Sequence, residues 1–311
     1  EGASGSSAGS GSATAAALCS FGIGTETLGS IVSPADRNGL SGLRPTFGRV
    51  SRVGAMALCW SLDKIGPMCR FTEDTAMVLS ALNGYDEFDS GSIDKGFAYD
   101  GRQSVSDLTI AYDPSWFEGE NVQDVDLVAL EKVRSLGATI IEISLPELPV
   151  AEIMAALGIE SAAAFEELTL SGRDDLLRRQ IDNAWPNSFR QARYYSAVDY
   201  VQGDRLRRSV MQEAHKFFAQ ADVIFGPSFG NPMLSLTNFT GQPSLTLRAG
   251  FDEIKPRPLF NHPENDSDET LHRIPRSVTL WSNLFDEGKL ITVGRALEAA
   301  LDVVDERPSL G

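Results

Sequence analysis

Apolar positions in this chain fall into short runs punctuated by Gly, Ser and Asp, and the period of the runs changes along the sequence. LTIAY at 108–112 has the length and composition of a strand. Residues 126–136 repeat apolar positions at helical spacing, and ATIIEIS at 138–144 returns to a strand pattern. Strand, helix and strand in that succession predict a βαβ unit. Residues 151–184 and 192–219 read as long amphipathic helices, the second with arginines on its polar side. A short buried strand is predicted at 222–225, ended by Gly226-Pro227, and the alternation of SLTLR at 244–248 fits a half-buried strand. The polar, acidic stretch 260–270 reads as a surface loop and 288–304 as a closing helix. Near the start, residues 12–20 are small and helix-compatible and predict a tightly packed helix. No internal repeat appears, and helices and strands interleave to the end. One α/β domain over 1–311 is therefore expected.

Composition narrows the function classes. The 311 residues are 42% hydrophobic and 23% charged, ordinary for a globular protein with a substantial core. No stretch approaches the roughly 20 apolar residues of a bilayer-spanning helix, and none reads as a signal peptide. The chain begins at Glu1 without Met and is expected to be N-terminally incomplete. The formal net charge of −16 disfavours nucleic acid and anionic membrane as partners, because both demand clustered Lys and Arg. Cys19, Cys59 and Cys69 are odd in number and form no C-x-x-C pair. They predict a reducing, cytoplasmic setting, no structural zinc and a role as small buried hydrophobes.

The chemistry has few candidates. His215, His262 and His272 lack metal-ligand spacing, and with no G-x-S-x-G elbow a Ser-His-Asp triad is not expected. Gly22, Gly24 and Gly29 match neither a dinucleotide fingerprint nor a P-loop. What remains is a chain rich in loop serines. A serine hydroxyl is a weak nucleophile until a base takes its proton, and without His that base is a lysine of lowered pKa. Such chemistry also needs donors for an oxyanion, which consecutive backbone N–H groups of a Gly-containing turn supply. Thr27-Leu28-Gly29-Ser30 is such a turn. The Gly/Ser tract EGASGSSAGSGSATAAA ahead of it reads by itself as a flexible linker.

The two segments together change that reading. SGSSAGSGSATAAA followed by GTETLGSIVSPADRNGLSGLRPTFGRVSR resembles the amidase signature family, whose members carry a GGSSGG loop, a G-[ST]-[DE]-T-G-G-S-I turn and G-L-[KR]-P-T-x-G-R. WSLDKIGPMCRFTEDTAMVL, LTNFTGQPSLTL and LFDEGKLITVGRALE resemble later segments of the same family, so the likeness reaches the start, middle and end of the chain. The resemblance implies a mixed, twisted β-sheet covered by helices on both faces, a Ser–Ser–Lys triad, and no metal or organic cofactor. Ser30 stands at the nucleophile's position and Ser6 at that of the bridging serine, with Ser7 as its rival. Thr27, Leu28 and Gly29 stand where backbone N–H groups line the oxyanion hole. The peptide bond before the bridging serine, here Gly5–Ser6, is expected to be cis.

Three departures accompany the likeness. Leu28 replaces the family's second glycine, and Val32 stands where many members have Arg. The general-base lysine lies in an upstream region that this sequence does not contain. Lys64, in SLDKIGP, does not stand at that position, and at its own position relatives carry Gln. Residues 1–311 by themselves are therefore expected not to turn over substrate. The reading is an amidohydrolase that cleaves a small-molecule carboxamide through an acyl-enzyme, with neutral or cationic amides favoured; association with further copies of the chain stays open. Two alternatives stand beside it: the A-type subunit of a glutamine-dependent amidotransferase, and a non-catalytic binding or scaffold relative. Met56, Trp60, Phe189 and Phe229 are considered as pocket-lining residues or as simple core.

Overall fold

Eight strands hydrogen-bond into one mixed sheet: β1 (Phe21–Glu26), β2 (Ser41–Arg44), β3 (Lys64–Cys69), β4 (Thr109–Tyr112), β5 (Thr139–Glu142), β6 (Val223–Pro227), β7 (Ser244–Ile254) and β8 (His272–Ser282). Their order across the sheet is β1-β3-β2-β7-β8-β6-β4-β5. The computed structural model describes residues 2–119, 122–257 and 269–307. β6, β4 and β5 run parallel, and the remaining pairs are antiparallel. The helices are α1 (Ala8–Ala15), α2 (Val32–Asn38), α3 (Thr72–Leu82), α4 (Asp124–Arg134), α5 (Val150–Ile153), α6 (Ala155–Ala164), α7 (Glu166–Leu170), α8 (Trp185–Ala192), α9 (Ala197–Phe218), α10 (Met233–Thr240) and α11 (Glu287–Leu301). Among the described residues no helix is long and apolar enough to cross a membrane.

The alternation of side chains along the central strands separates two cores. Val223 and Phe225 of β6, with Ile110 of β4 and Leu245 and Leu247 of β7, pack on one face against Leu79 of α3, Leu130 and Val133 of α4, and Leu290 and Leu297 of α11. Ile224 and Ala111 point the other way and join Val210, Phe217 and Phe218 of α9 and Met233, Leu236 and Phe239 of α10. A period-2 strand buried on both sides needs apolar residues at every position, as Val223-Ile224-Phe225 has. The fold is thus α/β, with helices on both faces of the sheet.

Several expected elements stand where the pattern put them: β4, α4 and β5 form the βαβ unit, and β6 and α11 lie at 223–227 and 287–301. Others differ. The helix expected at 12–20 lies at Ala8–Ala15, because the serine/glycine tract itself forms its first turns. The helix expected over 151–184 is broken into α5, α6, α7 and a short 3-10 turn at Arg173–Leu176. Phe165 leaves helical geometry and Gly172 adopts φ +69°. The helix expected at 192–219 is α9, which begins at Ala197; Ser196 caps its start by accepting from the Asp199 N–H at 3.1 Å, and the separate short helix α8 precedes it at Trp185–Ala192. The loop expected at 260–270 lies outside the described residues except for 269–270, and so does His262. Cys59 and Cys69 are buried, Cys19 is half-buried, and His215 and His272 are exposed.

Candidate active site

β1 carries the turn at its end, and the residues lining its inner side explain how close the neighbouring elements come. Gly22 and Gly24 face inward, where a Cβ at Gly22 would lie 2.8 Å from the Ser10 carbonyl oxygen and one at Gly24 2.9 Å from Ser7 Oγ. Only bare backbone admits α1 and the serine loop at that distance. Phe21 and Ile23 point outward and are partly exposed. At the end of the strand Gly29 takes φ +90°, a left-handed conformation that glycine adopts without steric cost, and Ser30 follows, half-buried, just before α2.

The turn is held by the residue that precedes it. Glu26 is fully buried; its Oε2 accepts the backbone N–H groups of Ile31 at 2.8 Å and Val32 at 3.0 Å. These are first-turn amides of α2, which have no intrahelical partner. Its Oε1 accepts from Arg44 Nη1 and from Asn238 Nδ2, both at 2.8 Å. Burial by itself would raise the Glu26 pKa. The Arg44 charge and these hydrogen bonds outweigh it and hold the carboxyl at about 2, so Glu26 is ionised. Arg44, equally buried, also donates to Thr237 Oγ1 at 2.7 Å and to the Gln242 carbonyl at 2.8 Å. The second arginine of GLRPTFGR, Arg49, makes a buried ion pair with Glu287 at 2.7 Å at the start of α11. Both arginines of that motif therefore fasten the scaffold.

The serine loop is fixed onto the same elements. Gly5–Ser6 is a cis peptide, as expected. Ser4 Oγ lies 2.6 Å from Ser33 Oγ in α2, and the Ala3 carbonyl accepts from Asn38 Nδ2 at 3.0 Å. Ser7 Oγ accepts the Thr25 N–H at 3.1 Å and faces the Thr25 carbonyl at 3.3 Å. Ser6 is exposed between these two anchors, and Ser30 lies between Thr25 and Ser33 on the opposing segment. Of the two serines considered for the bridge, Ser7 is buried and spends its hydroxyl on β1. Thr27 is held from the other side, donating from Oγ1 to Asp63 Oδ1 at 2.6 Å. Leu28 is half-buried in the turn, while Gly29 faces Leu234 of α10, whose Cδ2 would be 3.5 Å from a Cβ there.

Lys64 begins β3 directly across from Glu26. It is buried, and its Nζ donates to the carbonyls of Leu62 and Asn238. Burial, then the neighbouring Arg44 charge, pushes its pKa well below the usual lysine value. Of the aromatic and apolar residues considered for a pocket, Met56, Trp60 and Phe229 are exposed. Phe189 is core, stacked on Phe165 with ring centroids 4.9 Å apart. Val32 is also buried. Glu26, Arg44, Asp63 and Asn238 lie inside the segments that carry the family likeness, but motif reading gives none of them a role. Their signal is a charged or amide side chain inside a Gly-rich or apolar stretch.

Known proteins give this geometry its context. Residues 2–273 match the family model described as Amidase. The chain belongs to the amidase family. It is 32% identical over 330 residues to the A-type subunit of a glutamyl-tRNA(Gln) amidotransferase from Pseudomonas savastanoi pv. phaseolicola, covering 96% of this chain and 67% of that protein. Among solved structures it is similar to a peptide amidase from Stenotrophomonas maltophilia, with a TM-score of 0.72 and 25% identity over 95% of this chain and 65% of that one. It shares the fold of an amidase family protein from Bacillus anthracis, with a TM-score of 0.75 and 24% identity, and spans 60% of that protein's length. The mixed sheet and its two helical layers are thus those of an amidase-family fold.

Proposed function

We propose that this protein is an amidohydrolase that cleaves the C–N bond of a small-molecule carboxamide through an acyl-enzyme on Ser30. The observation that carries the reading is the Thr27–Ser30 turn. It has a left-handed Gly29, is closed onto α2 by Glu26, and meets a serine loop anchored on both sides of Ser6. In this mechanism Ser30 Oγ attacks the amide carbonyl carbon while its proton passes through Ser6 Oγ to the base. The N–H groups of Thr27, Leu28 and Gly29 receive the developing oxyanion. The C–N bond then breaks, the amine leaves with the relayed proton, and water adds to the ester to release the acid and restore the Ser30 hydroxyl. By resemblance the base is a lysine from a segment ahead of Ser6, and chain 1–311 contributes one amidase domain. The test, made on the full-length protein, is fluorophosphonate labelling followed by peptide mapping, with hydrolysis of a simple aliphatic or aryl amide measured in parallel. Label on Ser30, and a loss of about 10⁴-fold or more in kcat for Ser30→Ala, are expected; label elsewhere, or an active Ser30→Ala, refutes the assignment.

The amidotransferase relative supports a second reading, in which the same residues release ammonia from glutamine for a partner protein. Turnover of glutamine that appears only when such a partner is added would favour it. Turnover of simple amides by the protein alone favours the first.

A further inference from the structure

A polar network outside the serine turn connects it to the helical layer. Glu160 of α6 is buried, and its Oε2 accepts the Ser61 N–H at 2.9 Å and faces Cys59 Sγ at 3.3 Å. Its Oε1 accepts Ser61 Oγ–H at 2.6 Å and the Tyr200 hydroxyl of α9 at 3.1 Å. Arg207, also on α9, donates to Ser61 Oγ at 2.8 Å, to the Ser61 carbonyl at 2.9 Å and to the Phe239 carbonyl at the end of α10 at 2.6 Å. Ser61 is thus gripped at its N–H, hydroxyl and carbonyl together.

Ser61 lies in a closed turn. The N–H groups of Leu62 and Asp63 reach the Cys59 carbonyl at 3.0 and 2.8 Å. The N–H groups of Leu58 and Cys59 return to Asp63 Oδ2 at 2.8 and 3.0 Å. The other oxygen of Asp63 takes the Thr27 hydroxyl. We propose that Glu160 is a positioning residue for the Thr27–Ser30 turn, acting through Ser61 and Asp63; this rests on the amidohydrolase reading above. Removing a carboxylate from water onto neutral donors is costly. Most of the hydrogen bonds Glu160 accepts come from the 58–63 turn that ends on Thr27; on the helical side it accepts the Tyr200 hydroxyl and faces the charge of Arg207. Burial, and then Glu160 itself, raises the Cys59 thiol and Tyr200 phenol to about 12, so both stay protonated donors around neutral pH. Misplacement of Thr27 by a fraction of an ångström shifts a backbone donor at the oxyanion position, where the reaction is sensitive to geometry.

The test compares wild type, Glu160→Gln, Asp63→Asn and the double variant in the intact protein. It reads kcat and KM on one simple amide, the rate of fluorophosphonate labelling at Ser30, and the melting temperature. Glu160→Gln should lower kcat and labelling rate together by about tenfold or more while KM stays within about twofold. The double variant should be no slower than Asp63→Asn alone, since both act along one path. An unchanged kcat in a folded Glu160→Gln, or losses that multiply in the double variant, overturns the proposal. If Glu160→Gln does not fold, Ser61→Ala decides on the same terms: reduced kcat at unchanged KM supports it, and unchanged kcat overturns it. A wild type labelled at Ser30 beside an unaffected variant sinks this proposal alone. A wild type neither labelled there nor active sinks the amidohydrolase reading and this proposal with it.

Discussion

Glu26 and Lys64 face each other across β1 and β3, both buried, and the protein resolves the two charges in opposite ways. Glu26 keeps its charge because Arg44 and four hydrogen bonds compensate for burial. Its folded pKa of about 2 lies below the ordinary carboxyl value of 4.5. The stability it contributes is therefore complete above about pH 5 and drains away as pH falls from 4.5 toward 2. Glu26→Gln should cost about 3 kcal/mol at neutral pH, with the gap from wild type closing below pH 4.5 in parallel urea melts. A gap unchanged down to pH 3 would show that the carboxylate is not the group at work. Lys64 behaves in the reverse sense, facing Arg44, Glu26, Asp63 and Arg207, with burial the dominant influence and its pKa depressed. Between that lowered value and 10.5 the unfolded chain holds a proton that the folded chain lacks. Wild-type stability therefore rises with pH through this window, by up to about 1.4 kcal/mol per pH unit. Lys64→Met lacks this dependence, so its stability relative to wild type should decline steadily between pH 8 and pH 10. A constant difference over that range would contradict a neutral buried amine.

Among the elements, α1 and β1 show why part of the fold was legible in the sequence and part was not. The βαβ unit of β4, α4 and β5, the strand β6 and the helix α11 bury apolar residues at regular spacing, so periodicity finds them. In β1 the pattern is inverted: Phe21 and Ile23 face outward while Gly22, Gly24 and the charged Glu26 are inside, so hydrophobic alternation points to the wrong side. β2 and β3 bury Arg44 and Lys64 at their ends and carry Gly66 and Pro67, and the first half of β8 is polar and partly exposed. The serine loop and the turn were visible because their chemistry is written in residue types. The side chains that hold them, Glu26, Asp63 and Glu160, besides their local contacts, bind partners 18 to 212 residues away that no local pattern reveals. The closeness of α1 to β1 makes its own test. A Cβ at Gly24 would press on Ser7 Oγ at 2.9 Å and Ile31 Cγ1 at 3.0 Å, whereas Gly9 in α1 has open space. Gly24→Ala should lift the serine loop, costing about 1–3 kcal/mol and slowing Ser30 labelling. Gly9→Ala should leave labelling unchanged and stabilise by up to about 1 kcal/mol through helix propensity. Equal behaviour of the two variants would argue against close packing as the device that sets the loop.

For the molecule as a whole, charge separates the two functional readings. Acidic residues number 43 against 27 basic ones, and many of the basic side chains already hold carboxylates. Arg44 and Arg49 do so in the interior; Arg134, Arg193 and Arg273 pair with glutamates at the surface, and Arg257 with Asp36. Binding to a nucleic-acid backbone draws its free energy from unpaired Lys and Arg that displace condensed counterions, so such a surface offers little to a tRNA. The protein alone should show no retention of tRNA in filter binding even at about 50 mM salt, where electrostatic association is strongest. On the amidohydrolase reading, saturating tRNA should then leave hydrolysis of a simple amide by the full-length protein unchanged, because that reaction consumes only the amide and water. Retention that weakens steeply with salt would reveal a basic surface that the ion pairs do not occupy. Amide or glutamine turnover that rises on adding tRNA with a partner protein would move the assignment to the transamidation reading, with the same serine doing a different job.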